Sequence, residues 1–344
     1  MLPGANCSDR HPTWEESVTT GEVLRSLRAE CPIPSRLSPY ADRVQQWLDG
    51  DLLPSLDLPL SAAARHRLER ARFARYAARL YPDATEADLR VITALFTWFF
   101  LVDDLCDGPD RLTPDEVRAL RTEVVILLRG GARLRHHGLT GPLRRLLVRA
   151  WREPRRRMPA RWRNRFADAV AHHLDGTWRE AAGKAAGRRP DVAGYVELRR
   201  ATSAAYVSYP LVEFVTGRPL PDPVYHHPLL TRIGDTGNDL LSWYNDLASL
   251  ERDRATSGGH NLVLAIAAEE RVPLEVAVDL AADRWRESMR RFVALRAAVP
   301  SFGPALDEAV TDHLDVVANA VRGTVDWTLE SARYADAHPV RAVG

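Results

Sequence analysis

The chain has 344 residues, of which 45% are hydrophobic and 27% charged, with a formal net charge of +1 at pH 7. That length supplies ample material for a buried core in one large domain or two. Near-neutral charge argues against a nucleic-acid partner, whose footprint normally dominates the charge of its domain. No apolar run approaches the roughly 18 to 20 residues needed to cross a bilayer, so no stable membrane insertion is expected.

The first ten residues, Met1 to Arg10, lack the basic-then-apolar pattern of a secretion leader, so the expected location is cytoplasmic. Residues 1–35 are polar and dotted with proline, and read as a flexible or draping segment. The cysteines, Cys7, Cys31 and Cys106, show no ligand spacing and read as reduced thiols.

From about residue 60 nearly every stretch has helical periodicity. The predicted helices are Ser61 to Leu80, Glu86 to Leu101, Pro114 to Arg129, Pro142 to Trp151, Pro159 to Ala182, Val192 to Val215, the stretch around Asn238 to Leu250, His260 to Glu270, Leu274 to Ala298 and Pro304 to Ala335. Thr113-Pro114-Asp115-Glu116 is a helix start: a threonine cap, proline in the first helical position and carboxylates in the first turn. Alternating apolar and polar runs flanked by turn signals are almost absent, so a sheet is not expected. The fold class that follows is all-α, with one domain over residues 36–338 and a short tail at 339–344.

The arginine-rich run from Arg152 to Arg165, interleaved with Trp151 and Trp162, carries no nucleic-acid-binding signature and reads as a solvated helix face. Lys184 is the only lysine in the chain, so positive charge here is almost wholly guanidinium.

Two clusters carry chemistry. In Phe99-Phe100-Leu101-Val102-Asp103-Asp104-Leu105-Cys106-Asp107, Asp103 and Asp107 lie four residues apart, so a helix projects both carboxylates from one face. Three carboxylates at the negative end of a helix dipole are unfavourable without a cation. In the second cluster Asn238, Ser242 and Asp246 fall at i, i+4 and i+8, stacking three oxygen ligands along one face. Oxygen-only ligands suit magnesium, and magnesium held by few carboxylates usually binds phosphate oxygens as well.

With these motifs the chain resembles a bacterial class I terpene cyclase. The resemblance rests on Asp103-Asp104-x-x-Asp107, on Asn238, Ser242 and Asp246, on Tyr195 to Ser203 as a diphosphate-sensing stretch, and on Arg333-Tyr334 with the preceding Trp327. It implies a helical bundle around a central cavity and an isoprenyl diphosphate substrate, farnesyl (C15) or geranylgeranyl (C20) diphosphate. It also implies three Mg2+ ions, with Asp103, Asp107, Asn238, Ser242 and Asp246 as metal ligands and Asp104 as a support for them. Arg199, Asn238, Arg333 and Tyr334 would hold the diphosphate. Thr202 and Ser203 would stand at a helix break that turns a carbonyl toward the substrate, and Phe99, Phe100 and Trp327 would line the cavity. A homodimer is left open.

Several positions depart from the family pattern. Asp246 stands where glutamate is usual and Asn245 where a lysine is common, with Arg252 or Arg254 as candidate replacements for its charge. Ser203-Ala204 lacks the glycine of the effector step. The segment before Asn238 is short and contains Gly234 and Gly237, which predicts a helix that starts late or is irregular. The alternatives are a chain-elongating prenyl diphosphate synthase, which would need a second aspartate-rich motif and more lysines, and a non-catalytic helical interaction protein.

Overall fold

The computed structural model describes residues 19–58, 62–107, 111–131, 139, 141–255 and 260–331. In chain order the helices are α1 (Thr20–Glu30), α2 (Ala41–Trp47) continued by a π-helical turn at Leu48–Leu52, α3 (Leu53–Leu56), α4 (Ala62–Ala71), α5 (Phe73–Leu80), α6 (Glu86–Asp107), α7 (Pro114–Leu128), α8 (Gly141–Arg157) and α9 (Ala160–Ala185). They continue with α10 (Val192–Thr202), α11 (Ala205–Ser208), α12 (Leu211–Thr216), α13 (Asp222–Tyr225), α14 (Pro228–Ala255), α15 (Leu262–Glu270), α16 (Leu274–Ala297) and α17 (Asp307–Glu330). Among the described residues there is no strand, as the periodicity predicts.

The start of α7 follows the predicted capping chemistry. Glu116 N–H donates to Thr113 Oγ1 at 3.3 Å, and Thr113 N–H donates to the Glu116 carboxylate at 2.8 Å, so two otherwise orphaned donors are satisfied reciprocally.

Four expectations are corrected. The segment at 20–30, expected to be flexible or draping, is not flexible: it is a capped helix that lies on the bundle and buries Val23, Leu24 and Leu27 against α14 and α16. Ser61 to Leu80 is not continuous, because Arg72 adopts φ 53° between α4 and α5. Val192 to Val215 is three helices rather than one. The helix carrying Asn238 starts at Pro228 and neither begins late nor breaks. Gly237 serves close packing: a Cβ there would overlap Val317 Cγ1 of α17. The cost of glycine in a helix is offset by the contact it permits.

Helix α14 is central, running along α16 and α17 and touching α10 and α15, while α6 packs on α5 and α8 and α9 joins α7 to α10. The arginine-rich run is mostly a solvated face, as expected, with Arg152, Arg155, Arg156, Arg157 and Arg161 exposed, while a few of its side chains reach partners on other elements. Arg165 is buried against Glu213 (2.6 Å) and also reaches Asp222, Arg157 pairs with Asp88, and Arg163 donates to two backbone carbonyls.

The N-terminal segment is tied to α17 through Asp326, whose side chain is fully buried. Arg28 (3.1 Å), Arg79 (3.1 Å), Arg322 (3.0 Å) and Ser35 (2.6 Å) all donate to it. These donors hold its carboxyl below the usual carboxylate range although burial opposes them.

Candidate active site

Helix α14 presents Asn238, Ser242 and Asp246 from one face, 0%, 1% and 2% exposed. So deep a polar row needs partners, and each has them. Asn238 Nδ2 donates to the Arg200 carbonyl at 2.9 Å, and Ser242 Oγ donates to Asn238 Oδ1 at 3.1 Å. Asp246 accepts from Arg199 Nε at 3.0 Å on one oxygen, and from Tyr195 O–H at 2.6 Å and Leu262 N–H at 3.3 Å on the other. Burial raises the Asp246 pKa, and the Arg199 charge and the Tyr195 hydrogen bond oppose that rise. Arg199 also donates to Asn245 Oδ1 at 3.0 Å.

The neighbouring arginines of α10 diverge as adjacent helical residues must. Arg199, 20% exposed at its side chain, turns to the Asp246 row, whereas Arg200 forms a bidentate pair with Asp239 at 2.7 and 2.6 Å. Helix α10 stops at Thr202, and Ala204 takes φ 61° before α11 begins, so the break occurs without glycine. Left-handed backbone at alanine is costly and persists only where its surroundings impose it. Here Ser203 Oγ donates to the Arg200 carbonyl (3.3 Å) and accepts from Ala205 N–H (3.2 Å), clamping the turn. Thr202 Oγ1 reaches the Arg199 carbonyl at 3.5 Å.

Asp103 and Asp104 occupy the last turn of α6, Asp103 half-buried and Asp104 exposed, and both are engaged in interactions. Arg333 and Tyr334 lie outside the described residues, as does the side chain of Asp107. Phe99 is buried edge-on to Trp98 (5.0 Å between ring centres) and to His173 (5.6 Å). Phe100 stacks on Phe73 at 4.0 Å and lies 5.7 Å from Trp327. Trp327 is 2% exposed, packs against Tyr76 at 4.7 Å and donates its indole N–H to the Ala71 carbonyl at 2.8 Å.

The structure therefore brings Arg199 onto Asp246, sets Thr202 and Ser203 at the end of α10 whose Arg200 carbonyl meets Asn238, and gathers Phe100 and Trp327 into one aromatic group. Tyr195 had no role assigned from sequence, yet it lies four residues before Arg199, and that spacing puts both on the face that meets Asp246. Arg252 donates to Asp253 at 3.2 Å, and both it and Arg254 lie on the exposed end of α14.

Among the described residues no three His, Cys, Asp or Glu side chains converge. The buried row offers instead an amide oxygen, a hydroxyl and a carboxylate on one face, a donor set that fits a hard cation and suits neither zinc nor copper.

An all-helical domain that buries such an oxygen row beside an arginine offers ligands for a hard cation and a donor for an anion on neighbouring helices. The family profile described as terpene synthase family 2, C-terminal metal binding, matches residues 94–291. 10-epi-Cubebol synthase of Sorangium cellulosum is 30% identical over 75% of this chain and 82% of its own. The (+)-T-muurolol synthase, (2E,6E)-farnesyl diphosphate cyclizing, of Roseiflexus castenholzii is 29% identical over 89% and 93%. The crystal structure of linalool/nerolidol synthase from Streptomyces clavuligerus superposes with a TM-score of 0.76 at 29% identity, covering 87% of this chain and 99% of that one, and that enzyme has also been solved with 2-fluorogeranyl diphosphate. The chain belongs to terpene synthase family 2: it is a terpene synthase, and the matched region is the family's metal-binding domain.

Proposed function

We propose that this terpene synthase ionises farnesyl diphosphate and cyclises the resulting cation to a sesquiterpene. The observation that carries the reading is the meeting of Arg199 with Asp246 and Asn245 across α10 and α14, which sets a guanidinium beside a buried row of oxygen ligands. The Roseiflexus relative, a farnesyl diphosphate-cyclizing enzyme, favours the C15 substrate over C20.

Three magnesium ions, held by Asp103 and Asp107 on one side and by Asn238, Ser242 and Asp246 on the other, would supply the charge that stabilises the departing diphosphate. Arg199 releases one oxygen of Asp246 and turns its fork to diphosphate oxygens, for which a planar guanidinium is suited. Arg333 and Tyr334 add donors to the same group. Thr202 and Ser203 hold the broken end of α10, so that a carbonyl faces the substrate chain rather than pairing within a helix. Phe99, Phe100 and Trp327 exclude water and offer ring faces to the cation.

Purified protein incubated with farnesyl or geranylgeranyl diphosphate, with and without Mg2+, tests this by mass spectrometry of extracted hydrocarbons. A cyclic C15 product that requires magnesium is expected. Absence of a magnesium-dependent product from either substrate sinks the reading. Elongated diphosphates on addition of isopentenyl diphosphate would replace it with chain elongation.

A further inference from the structure

We infer that Lys184 is a further substrate-contacting cation of this site, its ammonium donating to the diphosphate at the rim between the two oxygen-rich motifs. The inference rests on the function proposed above.

Placement on α9 carries it. His173, Thr177, Glu180 and Lys184 follow one another at helical spacing, so they share a face. His173 meets Phe99 of α6 edge-on, which turns that face toward α6, and higher up the same face Thr177 and Lys184 wall a cavity of about 170 Å³ with Cys106 and Arg111. Cys106 sits inside the aspartate-rich turn, between Asp103 and Asp107. Lys184 thus lies beside the first motif.

The second motif is reached through Glu180. Lys184 Nζ pairs with Glu180 at 3.0 Å, and Glu180 stands 3.5 Å from His260 Nδ1. The His260 carbonyl is 3.5 Å from the Tyr195 hydroxyl, which itself donates to Asp246 at 2.6 Å. An ammonium on a four-carbon stem, 16% exposed at its side chain, can exchange its present partners, Glu180 among them, for an anion nearby. Of the nearby arginines, Arg200 grips Asp239 with both nitrogens and Arg252 lies on Asp253, while Arg111 shares the cavity wall with Lys184. A trianionic leaving group arriving between the two motifs meets Lys184 as a mobile charge of the right sign.

The test uses the full chain and inorganic diphosphate as probe. By calorimetric titration in Mg2+, Lys184→Gln should bind diphosphate about tenfold more weakly than wild type, the loss expected for one charge-assisted hydrogen bond. Lys184→Arg should recover most of it. Because this is the only lysine, reductive methylation followed by peptide mass spectrometry gives an independent readout, and diphosphate with Mg2+ should protect Lys184. Wild-type affinity in Lys184→Gln, or methylation unaffected by diphosphate, overturns the contact. Recovery of binding in Lys184→Gln/Glu180→Gln also overturns it, because the lysine would then serve only to neutralise Glu180. If wild-type protein binds no diphosphate in Mg2+ and converts no prenyl diphosphate, the proposed function falls along with it. Wild-type binding matched by the variant confines the failure to Lys184.

Discussion

The two oxygen-rich motifs sit in opposite physical settings. The aspartate-rich cluster occupies the last turn of α6, where Asp104 is exposed, Asp103 half-buried and the helix dipole opposes their charge. The Asn238 row lies in the body of α14, almost wholly buried and hydrogen-bonded to α10 and α15. One cluster lies toward solvent at a helix end, where a cation would offset its charge; the other is built into the core and fixed by its hydrogen bonds. The same substitution should therefore have different consequences at the two ends.

The largest effect expected is on turnover. Asp103→Ala and Asn238→Ala should each lower it by about 100-fold or more, as loss of electrostatic stabilisation of a leaving group does. They should part company on melting: Asn238→Ala leaves the Arg200 carbonyl without its buried donor, at about 1 to 3 kcal/mol, whereas Asp103→Ala, at a half-buried helix end, should cost less. Equal melting temperatures for the two variants would erase the distinction between a built-in site and a solvent-facing one.

Next comes the arginine pair. Arg199→Ala should reduce turnover by about 100-fold, while Arg200→Ala should stay within several-fold of wild type and lose stability instead, because Asp239, 6% exposed, then carries an unpaired charge. An essential Arg200 with a dispensable Arg199 would reverse the assignment of α10's faces.

Much of this arrangement was legible in the sequence because helix periodicity is short-range. The row at 238, 242 and 246 and the capping box at Thr113 depend on residues within about two turns of each other. What was hidden depends on distant partners. Gly234 and Gly237 suggested a weak helix, yet Gly237 is where α17 approaches through Val317, residues distant in sequence. Ser203 and Ala204 lacked the glycine that advertises a break, and the break is imposed by side-chain hydrogen bonds and by α9, whose Gly176 lies against Ala201. Residues 20–30 looked flexible because their few apolar side chains count only once α14 and α16 are there to cover them.

Packing at the inner motif can be probed without touching a ligand. Gly237→Ala should destabilise by about 1 to 3 kcal/mol, the usual cost of overpacking, and should impair turnover through displacement of Asn238 beside it. A melting curve unchanged from wild type would show that α14 and α17 have slack, and that the inner site is less rigid than its burial implies.

The smallest effect is on pH. Burial lowers His173 and His313 to about 4, so both fold neutral while their unfolded forms take up a proton near 6.5. Unfolded chains then bind more protons between pH 6.5 and 4. The stability contributed by burying neutral imidazoles is complete above about pH 6.5 and falls as pH drops toward 4, by at most about 1.4 kcal/mol per pH unit for each histidine. Melting temperatures measured from pH 7 to 4.5 should decline, and His313→Leu should lessen the slope. An unaltered slope in that variant would remove His313 from the acid response.

The ion cluster at Asp326 bears on the order in which the domain can be completed. Arg28 and Asp326 are 298 positions apart, and Arg79 and Asp326 are 247 apart. On the ribosome Arg28, Ser35 and Arg79 emerge long before the carboxylate that neutralises the two arginines. Until α17 docks, α1 and α5 hold cationic side chains with no counter-charge from Asp326, which makes tight closure of that side of the bundle unfavourable. Final locking of the fold is thereby deferred until the helix bearing Trp327 has been synthesised, so a chain stalled before α17 stays open on that side.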